Sequence, residues 1–238
     1  MKKAIVIGAS SGIGKELSRI LSESGASVGI AARRLPLLNQ VADSLSGEVF
    51  VKQIDVMSPQ AAMTSLSSLI DEMGGVDLIV IASGVGNINK ELDWQLEDEC
   101  IATNVSGFTA MANVAMKYFL VKGEGHFVGI SSVAALRGSN DAPSYHASKA
   151  YMSNYLEGLR KKVEKSNYPI AVTEIIPGFV DTRMAKGEGL FWVASPENAA
   201  RQIYQAILKK KSKAYITKRW GIIAWLLKNM PAAIYNRL

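Results

Sequence analysis

Two tyrosine–lysine pairs are the residues of this sequence whose types and spacing most directly suggest chemistry. Tyr118 precedes Lys122, and Tyr145 precedes Lys149, by four residues in each case, so in a helix both members of a pair lie on one face. An ammonium beside a phenol stabilises the phenolate, and lowering the pKa of a tyrosine from about 10 to about 7 takes about 4 kcal/mol. Such a pair predicts proton transfer by a tyrosine near neutral pH.

The surroundings of the two pairs differ, although their spacing is the same. Tyr118 ends a predicted helix that leads through Gly123-Glu124-Gly125 into a strand, so we expect it at the edge where strands begin and interpret it as a packing residue. Tyr145 follows the strand that delivers Ser131 and Ser132 to the opposite edge, where ligands bind in open α/β sheets. Tyr145 is therefore the candidate for chemistry.

A glycine-rich turn directly follows the first predicted strand. Its sequence is Gly8-Ala9-Ser10-Ser11-Gly12-Ile13-Gly14, and the first helix begins inside it. A pyrophosphate can approach backbone N–H groups and a helix N-terminus only where side chains are absent. The GxxxGxG spacing is a variant of the dinucleotide fingerprint. It predicts a nucleotide held by Gly8, Ser10, Ser11, Gly12, Ile13 and Gly14, the alternative being a turn without a ligand.

The same turn also matches GxSxG, the nucleophile elbow of serine hydrolases. That less favoured alternative would make Ser10 a nucleophile and needs an Asp and then a His downstream. The sequence has only His126 and His146, and an elbow after the first strand leaves little sheet before it. We interpret both histidines and Cys100, the single cysteine, as structural and predict no metal site.

The residues that end the second and third strands bear on the choice of nucleotide. A carboxylate after the second strand would bind a ribose 2′-hydroxyl, whereas a guanidinium would pair with a 2′-phosphate. This chain has Arg33, followed by Arg34, which predicts NADP rather than NAD; the alternative is that two arginines open a solvated helix. Asp55 and Val56 are predicted to meet the adenine, with Asp55 accepting from its amino group.

Hydrophobic periodicity predicts the elements that position these residues. Short runs rich in Val and Ile alternate with longer segments of helical period, the pattern of a parallel sheet covered on both faces. We predict an α/β fold: a single-domain, Rossmann-type doubly wound sheet of about seven parallel strands flanked by helices over residues 1–217, with a C-terminal basic amphipathic helix in 218–238. The predicted strands are Ala4–Ile7, Ser27–Ala32, Val49–Ile54, Leu78–Ala82, Phe127–Ile130, Ile170–Ile176 and Ala214–Thr217.

Taken together, these motifs resemble the short-chain dehydrogenase/reductase family over nearly the whole chain. The matching residues are Gly8, Gly12 and Gly14 of the cofactor loop, Asn104, Ser132, Tyr145 and Lys149 of the catalytic tetrad, and Pro177, Gly178, Val180 and Thr182 of the segment that holds the nicotinamide. One departure follows strand four, where the family usually has NNAG and this chain has Ile81-Ala82-Ser83-Gly84. Gly84 retains the close backbone approach, but the asparagine hydrogen bonds are missing.

The resemblance implies reversible hydride transfer between a nicotinamide and a carbonyl or alcohol carbon. Tyr145 is then the general acid and base, and Ser132, favoured over Ser131 by its spacing to Tyr145, donates a hydrogen bond to the reacting oxygen. Lys149 lowers the pKa of Tyr145 and binds the ribose, while Asn104 distorts its helix and holds a water. The expected cofactor is NADP, with NADPH preferred over NADH. The alternative is an NADP-binding regulatory or scaffold protein without turnover.

A substrate loop is predicted at residues 183–195. Gly187 and Gly189 are its candidate hinges, and Leu190, Phe191 and Trp192 would form an apolar wall, which predicts a hydrophobic or lipid-like carbonyl or alcohol substrate. The alternative is a loop that packs on its own core or on another subunit. Because family members usually assemble through the helices after strands four and five, where Gly107, Ala110, Ala112 and Ala115 permit close approach, we expect a homodimer or homotetramer.

Basic residues are concentrated in the tail. From Lys209 onward there are eight Lys or Arg and no Asp or Glu, whereas the preceding 208 residues contain 19 basic and 21 acidic side chains, which argues against nucleic-acid binding. The uncharged stretch between Arg219 and Lys228 is far shorter than the about 20 residues needed to span a bilayer. It predicts a helix in the interface of an anionic membrane, or one that closes the substrate pocket or packs on a partner subunit. We expect a cytoplasmic protein, peripheral at the membrane under the first alternative.

Overall fold

The computed structural model describes residues 2–182 and 191–235 and has a parallel sheet at its centre. The strands run in the order β3-β2-β1-β4-β5-β6-β7, and every neighbouring pair is parallel. Their bounds are β1 Lys3–Ile7, β2 Ser27–Ala32, β3 Val49–Gln53, β4 Leu78–Ile81, β5 Gly125–Ile130, β6 Ile170–Pro177 and β7 Lys213–Ile216. The predicted fold class is confirmed, with strand ends shifted by one or two residues.

Helices cover both faces of this sheet. Helices α1, α2 and α7 pack on one face and α3, α5 and α6 on the other. The helices are α1 Gly12–Glu23, α2 Leu35–Ala42, α3 Pro59–Glu72, α4 Trp94–Ile101, α5 Phe108–Lys122, α6 Pro143–Glu164, α7 Pro196–Leu208, α8 Trp220–Asn229 and α9 Ala232–Tyr235. A π-helical stretch, Ala102–Gly107, joins α4 to α5, and a 3-10 turn, Val133–Leu136, follows β5. No helix in the described ranges has the length and apolarity to cross a bilayer.

The sheet is buried on both faces, which is why its strands are continuous apolar runs. Along β1, Ile5 points to the core under α3 and α5, and Val6 points to the core under α1; neither side chain has exposed surface. The strand order reverses between β1 and β4. Loops on either side of that point therefore diverge to opposite faces and leave a crevice at the carboxyl edge, the usual ligand site of such sheets.

The small residues of α5 and of the preceding π-helical stretch, predicted to permit close approach between helices, pack inside this chain. Gly107, Ala110, Ala112 and Ala115 are all buried inside this chain, where Gly107 packs directly against Val56. Their size lets α5 approach its own sheet, and little of their surface is exposed. The exposed apolar side chains of α4, α5 and α6 are instead Trp94, Ile101, Val121 and Tyr151.

Candidate active site

The glycine turn connects β1 to α1 at the crevice. Gly8 has a φ of +92°, and a Cβ there would lie 2.4 Å from the backbone nitrogen of Ser83, so only glycine allows this contact between the loops after β1 and β4. Helix α1 begins at Gly12, and Ser11 makes no side-chain capping bond to it. The side-chain oxygen of Ser83 is buried without a partner. A backbone cradle, an uncapped helix start and an unpaired hydroxyl together fit a nucleotide pyrophosphate and ribose.

The two arginines after β2 point in different directions. The Nη2 atom of Arg34 donates to the hydroxyls of Ser10 and Ser11 at 3.1 and 3.2 Å, so its guanidinium lies over the glycine turn. The Nη1 atom of Arg33 instead contacts the Met57 sulfur at 3.4 Å. A cleft of about 280 Å³ adjoins the turn, and Lys15 is one of its lining residues. The sequence favoured Arg33 over Arg34 and did not point to Lys15, because neither the direction of an arginine side chain nor the lining of a cleft follows from local spacing.

The residues predicted to meet the adenine have structural partners. The Asp55 carboxylate accepts the Met57 backbone N–H at 3.1 Å and so shapes the turn from β3 into α3. The Val56 side chain is buried in the core, which leaves its backbone to contact a ligand. Gly84 lies in the loop after β4, three residues beyond the end of that strand.

The two serines after β5 have separate environments. Ser131 donates its hydroxyl to a carboxylate oxygen of Glu174 at 2.9 Å, and Glu174 is fully buried. The Ser132 hydroxyl accepts the Ala134 N–H at 3.1 Å as the cap of the 3-10 turn and lies close enough to the Tyr145 hydroxyl to lower its pKa. Ser131 is therefore held in the interior, whereas Ser132 is the serine at the tyrosine.

Tyr145 and Lys149 lie on the first turns of α6. The Lys149 Nζ atom is 5.8 Å from the centre of the Tyr145 ring and donates to the Ile130 carbonyl at 3.1 Å. Burial raises the pKa of Tyr145, against the opposing effect of the Ser132 hydroxyl, and burial lowers the pKa of Lys149 to about 8. Desolvation thus dominates both groups, and Lys149 is not among the groups that shift the Tyr145 pKa.

Asn104 lies in the π-helical stretch, so the helix is distorted where the resemblance implies it. Its Oδ1 atom accepts the Val85 N–H at 2.9 Å, and its Nδ2 atom donates to the Val85 carbonyl at 2.7 Å. The same nitrogen donates to the Ser148 hydroxyl at 3.0 Å, and Ser148 donates to the Tyr145 carbonyl at 2.8 Å. Asn104 therefore fixes the loop after β4 to the turn of α6 that carries Tyr145, which makes it a positioning residue.

Gly86 is a site residue that sequence reasoning missed. A Cβ at this position would lie 2.8 and 2.9 Å from the Cδ2 and Cε2 atoms of the Tyr145 ring, so the backbone of Gly86 packs on the face of the phenol. The two hydrogen bonds from Asn104 to the backbone of the adjacent Val85 hold Gly86 in this position. The only signal in the sequence was a second glycine two residues after Gly84.

The segment after β6 closes the other side of the crevice. The Gly178 N–H donates to the Ile216 carbonyl at 2.7 Å, and Val180, buried in the core, bridges to Ala194. The Thr182 methyl lies 3.1 Å from where a Cβ on Gly12 would be, so this segment and the glycine turn are neighbours, as a shared nucleotide would require. Pro177 ends β6.

Aromatic rings cover the same segment. Trp220 of α8 packs edge-on against Phe179 and stacks on Phe191, with ring centres 5.2 Å apart in both pairs, while Trp192 packs edge-on at 6.2 Å. Phe191 and Trp192, two residues of the predicted apolar wall, thus form an aromatic cluster with Trp220 of the tail. Arg183, both candidate hinges and Leu190 lie outside the described residues.

Other candidate residues lie away from this site. The Tyr118 hydroxyl accepts the Val76 N–H, and Lys122 pairs with Asp77 at 2.9 Å, so the Tyr118–Lys122 pair lies where β4 begins. His126 bonds Thr173, and His146 bonds the Arg137 carbonyl; neither partner is Ser10, and the hydrolase alternative gains no support.

A larger cleft of about 500 Å³ between α3 and α5 contains none of the predicted site residues. Within the part of the chain that the structure describes, no group of acidic, His and Cys residues could hold a metal ion.

Comparison with known proteins identifies the family. Residues 2–190 match the short chain dehydrogenase family. The chain belongs to the short-chain dehydrogenase/reductase family. An uncharacterized oxidoreductase of Myxococcus xanthus is 36% identical over 188 residues, covering 77% of this chain and 74% of that protein. Another from Staphylococcus haemolyticus is 32% identical over 209 residues, covering 86% and 90%. Oxidoreductase function is therefore shown at the level of the family.

Solved structures of the family share the fold of this chain. A short-chain dehydrogenase from Sphingobium yanoikuyae in complex with NADPH has a TM-score of 0.80 and 20% identity, covering 98% of both chains. A 3-ketoacyl-(acyl-carrier-protein) reductase from Brucella melitensis complexed with NADH also has a TM-score of 0.80, at 18% identity, covering 90% of this chain and 96% of that chain. Members of this fold thus bind either nicotinamide nucleotide.

Proposed function

We propose that this short-chain dehydrogenase/reductase is an NADP-dependent enzyme that interconverts a hydrophobic carbonyl compound and its alcohol. The observation that carries the proposal is that Ser132, Tyr145 and Lys149 lie together at the carboxyl edge of the sheet, the edge that also carries the glycine turn. This arrangement pairs a half-buried proton donor with a second hydroxyl and a buried cation. A scaffold protein without turnover would have no use for that combination.

Each residue of this group has a distinct task. The nicotinamide, when bound, supplies or accepts the hydride. Tyr145 donates its phenolic proton to the carbonyl oxygen during reduction and takes it back during oxidation, while Ser132 donates a hydrogen bond to the same oxygen. Lys149 has a pKa of about 8, so it is mostly protonated at neutral pH and would bind the ribose hydroxyls of the cofactor. The proposed role of Asn104 in holding a water near Lys149 adds a route for the proton.

The decisive experiment measures turnover with a panel of ketones and aldehydes of increasing chain length, with NADPH and NADH compared. Tyr145→Phe is expected to abolish turnover with nucleotide affinity almost unchanged, because only the transferable proton is lost. Tyr151→Phe is the matched control on the same helix, since its hydroxyl bonds Thr109 at 2.8 Å near the surface. Retained turnover in Tyr145→Phe would remove this tyrosine from its role, and a wild-type protein that binds NADPH but turns over no carbonyl would favour the scaffold alternative.

The preference for NADP rests on Arg34 and Arg33. A charge-assisted hydrogen bond contributes about 1.5–3 kcal/mol, so Arg34→Ala is expected to lower kcat/KM with NADPH by about 10- to 100-fold and to leave the value with NADH nearly unchanged. The exposed Arg201 of α7 provides the control, as Arg201→Ala. Equal losses with both nucleotides would contradict a 2′-phosphate contact.

The aromatic wall and the subunit surface complete the proposal. Phe191 and Trp192 beside Trp220 favour an apolar substrate, because a polar one would lose hydration there without compensation. A homodimer or homotetramer remains our proposal for the assembly, with the exposed apolar surface of Ile101 and Tyr151 in place of the buried small residues. Cytoplasmic localisation also remains a proposal.

A further inference from the structure

Helix α8 has an inner face inside the molecule and an outer face that nothing in the described chain covers. On the inner face, Trp220 and Ala224 are 2% and 1% exposed. The outer face consists of Ile222, Trp225 and Leu226, which are 64%, 63% and 44% exposed. Residues at i, i+3 and i+4 form one stripe along a helix, so these three side chains form a continuous apolar surface.

The orientation of this helix is fixed by contacts at both of its ends. At its start, Trp220 stacks on Phe191. Beyond its end, the Met230 carbonyl accepts a hydrogen bond from Arg137 at 3.1 Å, and the Tyr235 hydroxyl donates to the Gly138 carbonyl at 2.5 Å. The outer face is therefore exposed by the way the helix packs and not by fraying of the chain end.

Cations border the outer face. Lys218 and Arg219 precede its first residue by one turn and Lys228 follows its last residue by two positions, whereas the chain has no Asp or Glu from Lys209 to the end. A second copy packed on this face would bring like charges together around a small apolar contact. We propose that the outer face of α8 docks on the surface of an anionic phospholipid membrane. Tryptophan and leucine enter the interface, and the lysines meet the lipid phosphates.

Docking in this way places the candidate active site next to the lipid. Helix α8 contacts the 3-10 turn that follows Ser132, and Arg219 lies 5.0 Å from the ring of Trp192 in the aromatic wall. The membrane would then deliver apolar compounds to the side of the crevice that the wall lines. This consequence rests on the proposed function, whereas docking itself does not and is tested without turnover.

The test is flotation of the full chain with vesicles of phosphatidylcholine mixed with phosphatidylglycerol, compared with vesicles of phosphatidylcholine alone. We expect binding to the anionic vesicles only, and a loss of binding at high salt. Each removed lysine is expected to weaken binding about fivefold, so Lys218→Gln with Lys228→Gln weakens it about 25-fold. The matched charge control is Lys161→Gln with Lys162→Gln, two exposed lysines near the end of α6.

Trp225→Ser tests the apolar part of the surface and should weaken vesicle binding about tenfold or more. Its control is Val121→Ser, since Val121 is 90% exposed on α5. The proposal would be overturned if the wild-type chain binds anionic vesicles and the α8 variants bind them equally well. It would also be overturned if the wild-type chain does not bind them. If Trp225→Ser instead changes the oligomeric state in sedimentation, with no vesicle binding by the wild type, the outer face is a subunit interface and the proposal is wrong.

Discussion

Replacing Gly86 with alanine tests whether the loop after β4 sets the position of the Tyr145 phenol, the proposed proton donor. The new Cβ would lie 2.8 Å from the Tyr145 Cδ2 atom and 2.9 Å from Cε2, whereas carbon atoms in good contact are about 3.5 Å apart. The ring and the loop must therefore separate by about 0.7 Å along this direction to restore normal contact.

Neither side of this contact can move freely. The Asn104 side chain makes two hydrogen bonds to the backbone of Val85, and Tyr145 is part of a 22-residue helix whose Lys149 is buried. Any adjustment therefore shifts the phenol relative to Ser132. Because a misplacement of about 1 Å can cost about 100-fold in rate, Gly86→Ala is expected to lower kcat by about 10- to 100-fold. Overpacking should also lower the free energy of unfolding by about 1–3 kcal/mol.

Steady-state kinetics with NADPH and the best carbonyl substrate, together with titration of NADPH binding, separate these effects. We expect kcat to fall and nucleotide affinity to stay close to that of the wild type, because the three atoms nearest to the new Cβ all belong to the Tyr145 ring. Urea unfolding of the same variant gives the cost in stability.

Gly158→Ala is the matched control, since Gly158 lies on the same helix as Tyr145 and a Cβ there meets no atom within 4 Å. It should leave kcat unchanged and stabilise α6 by up to about 1 kcal/mol. The reasoning is refuted if Gly86→Ala turns over like the wild type, because the loop would then yield without moving the phenol.

Two further predictions concern stability. Asp77→Asn should lower the free energy of unfolding by about 1 kcal/mol at neutral pH. Burial raises the pKa of the Asp77 carboxyl, but the Lys2 N–H and the Lys122 ammonium outweigh it and hold the pKa at about 2. A carboxyl whose pKa is lower in the folded than in the unfolded state stabilises the fold at pH values above its unfolded pKa, and this contribution is lost as the pH falls from 3.8 towards 2. The difference in urea unfolding between Asp77→Asn and the wild type should therefore vanish over that pH range. Glu174→Gln should lower the free energy of unfolding by about 3 kcal/mol, because it leaves the nearly buried Arg160 without a carboxylate partner. The control is the exposed Glu157→Gln, which should lower it by less than about 0.5 kcal/mol in the same urea unfolding.

The elements that depend on local pattern were predictable from the sequence. The strands follow from short apolar runs, and the glycine turn follows from the absence of side chains at Gly8, Gly12 and Gly14. The choice between Tyr118 and Tyr145 followed from the edge of the sheet that each one reaches. All of these features are set within one βαβ unit, where period and chain direction fix the placement.

Contacts between distant segments were not predictable in the same way. Whether Arg33 or Arg34 lies over the glycine turn depends on how α2 begins relative to a loop more than twenty residues earlier. Glu174 is the one signal of such contacts in the sequence, since a carboxylate inside a predicted buried strand requires partners. Those partners are Ser131, Arg160 and Lys213, which come from three other elements and cannot be assigned before the strand order is known.

The loop after β4 is held in place by Asn104. The family's NNAG asparagines are absent at Ile81-Ala82-Ser83-Gly84, so their hydrogen bonds do not fix this edge of the sheet. Asn104 makes two hydrogen bonds to the backbone of Val85, and it lies in the π-helical stretch between α4 and α5. The asparagine that the resemblance assigned to a proton relay thus also holds Gly86 against Tyr145. For that reason, substitutions of Asn104 should alter kcat by moving the Tyr145 phenol, even if Asn104 takes no part in a proton relay.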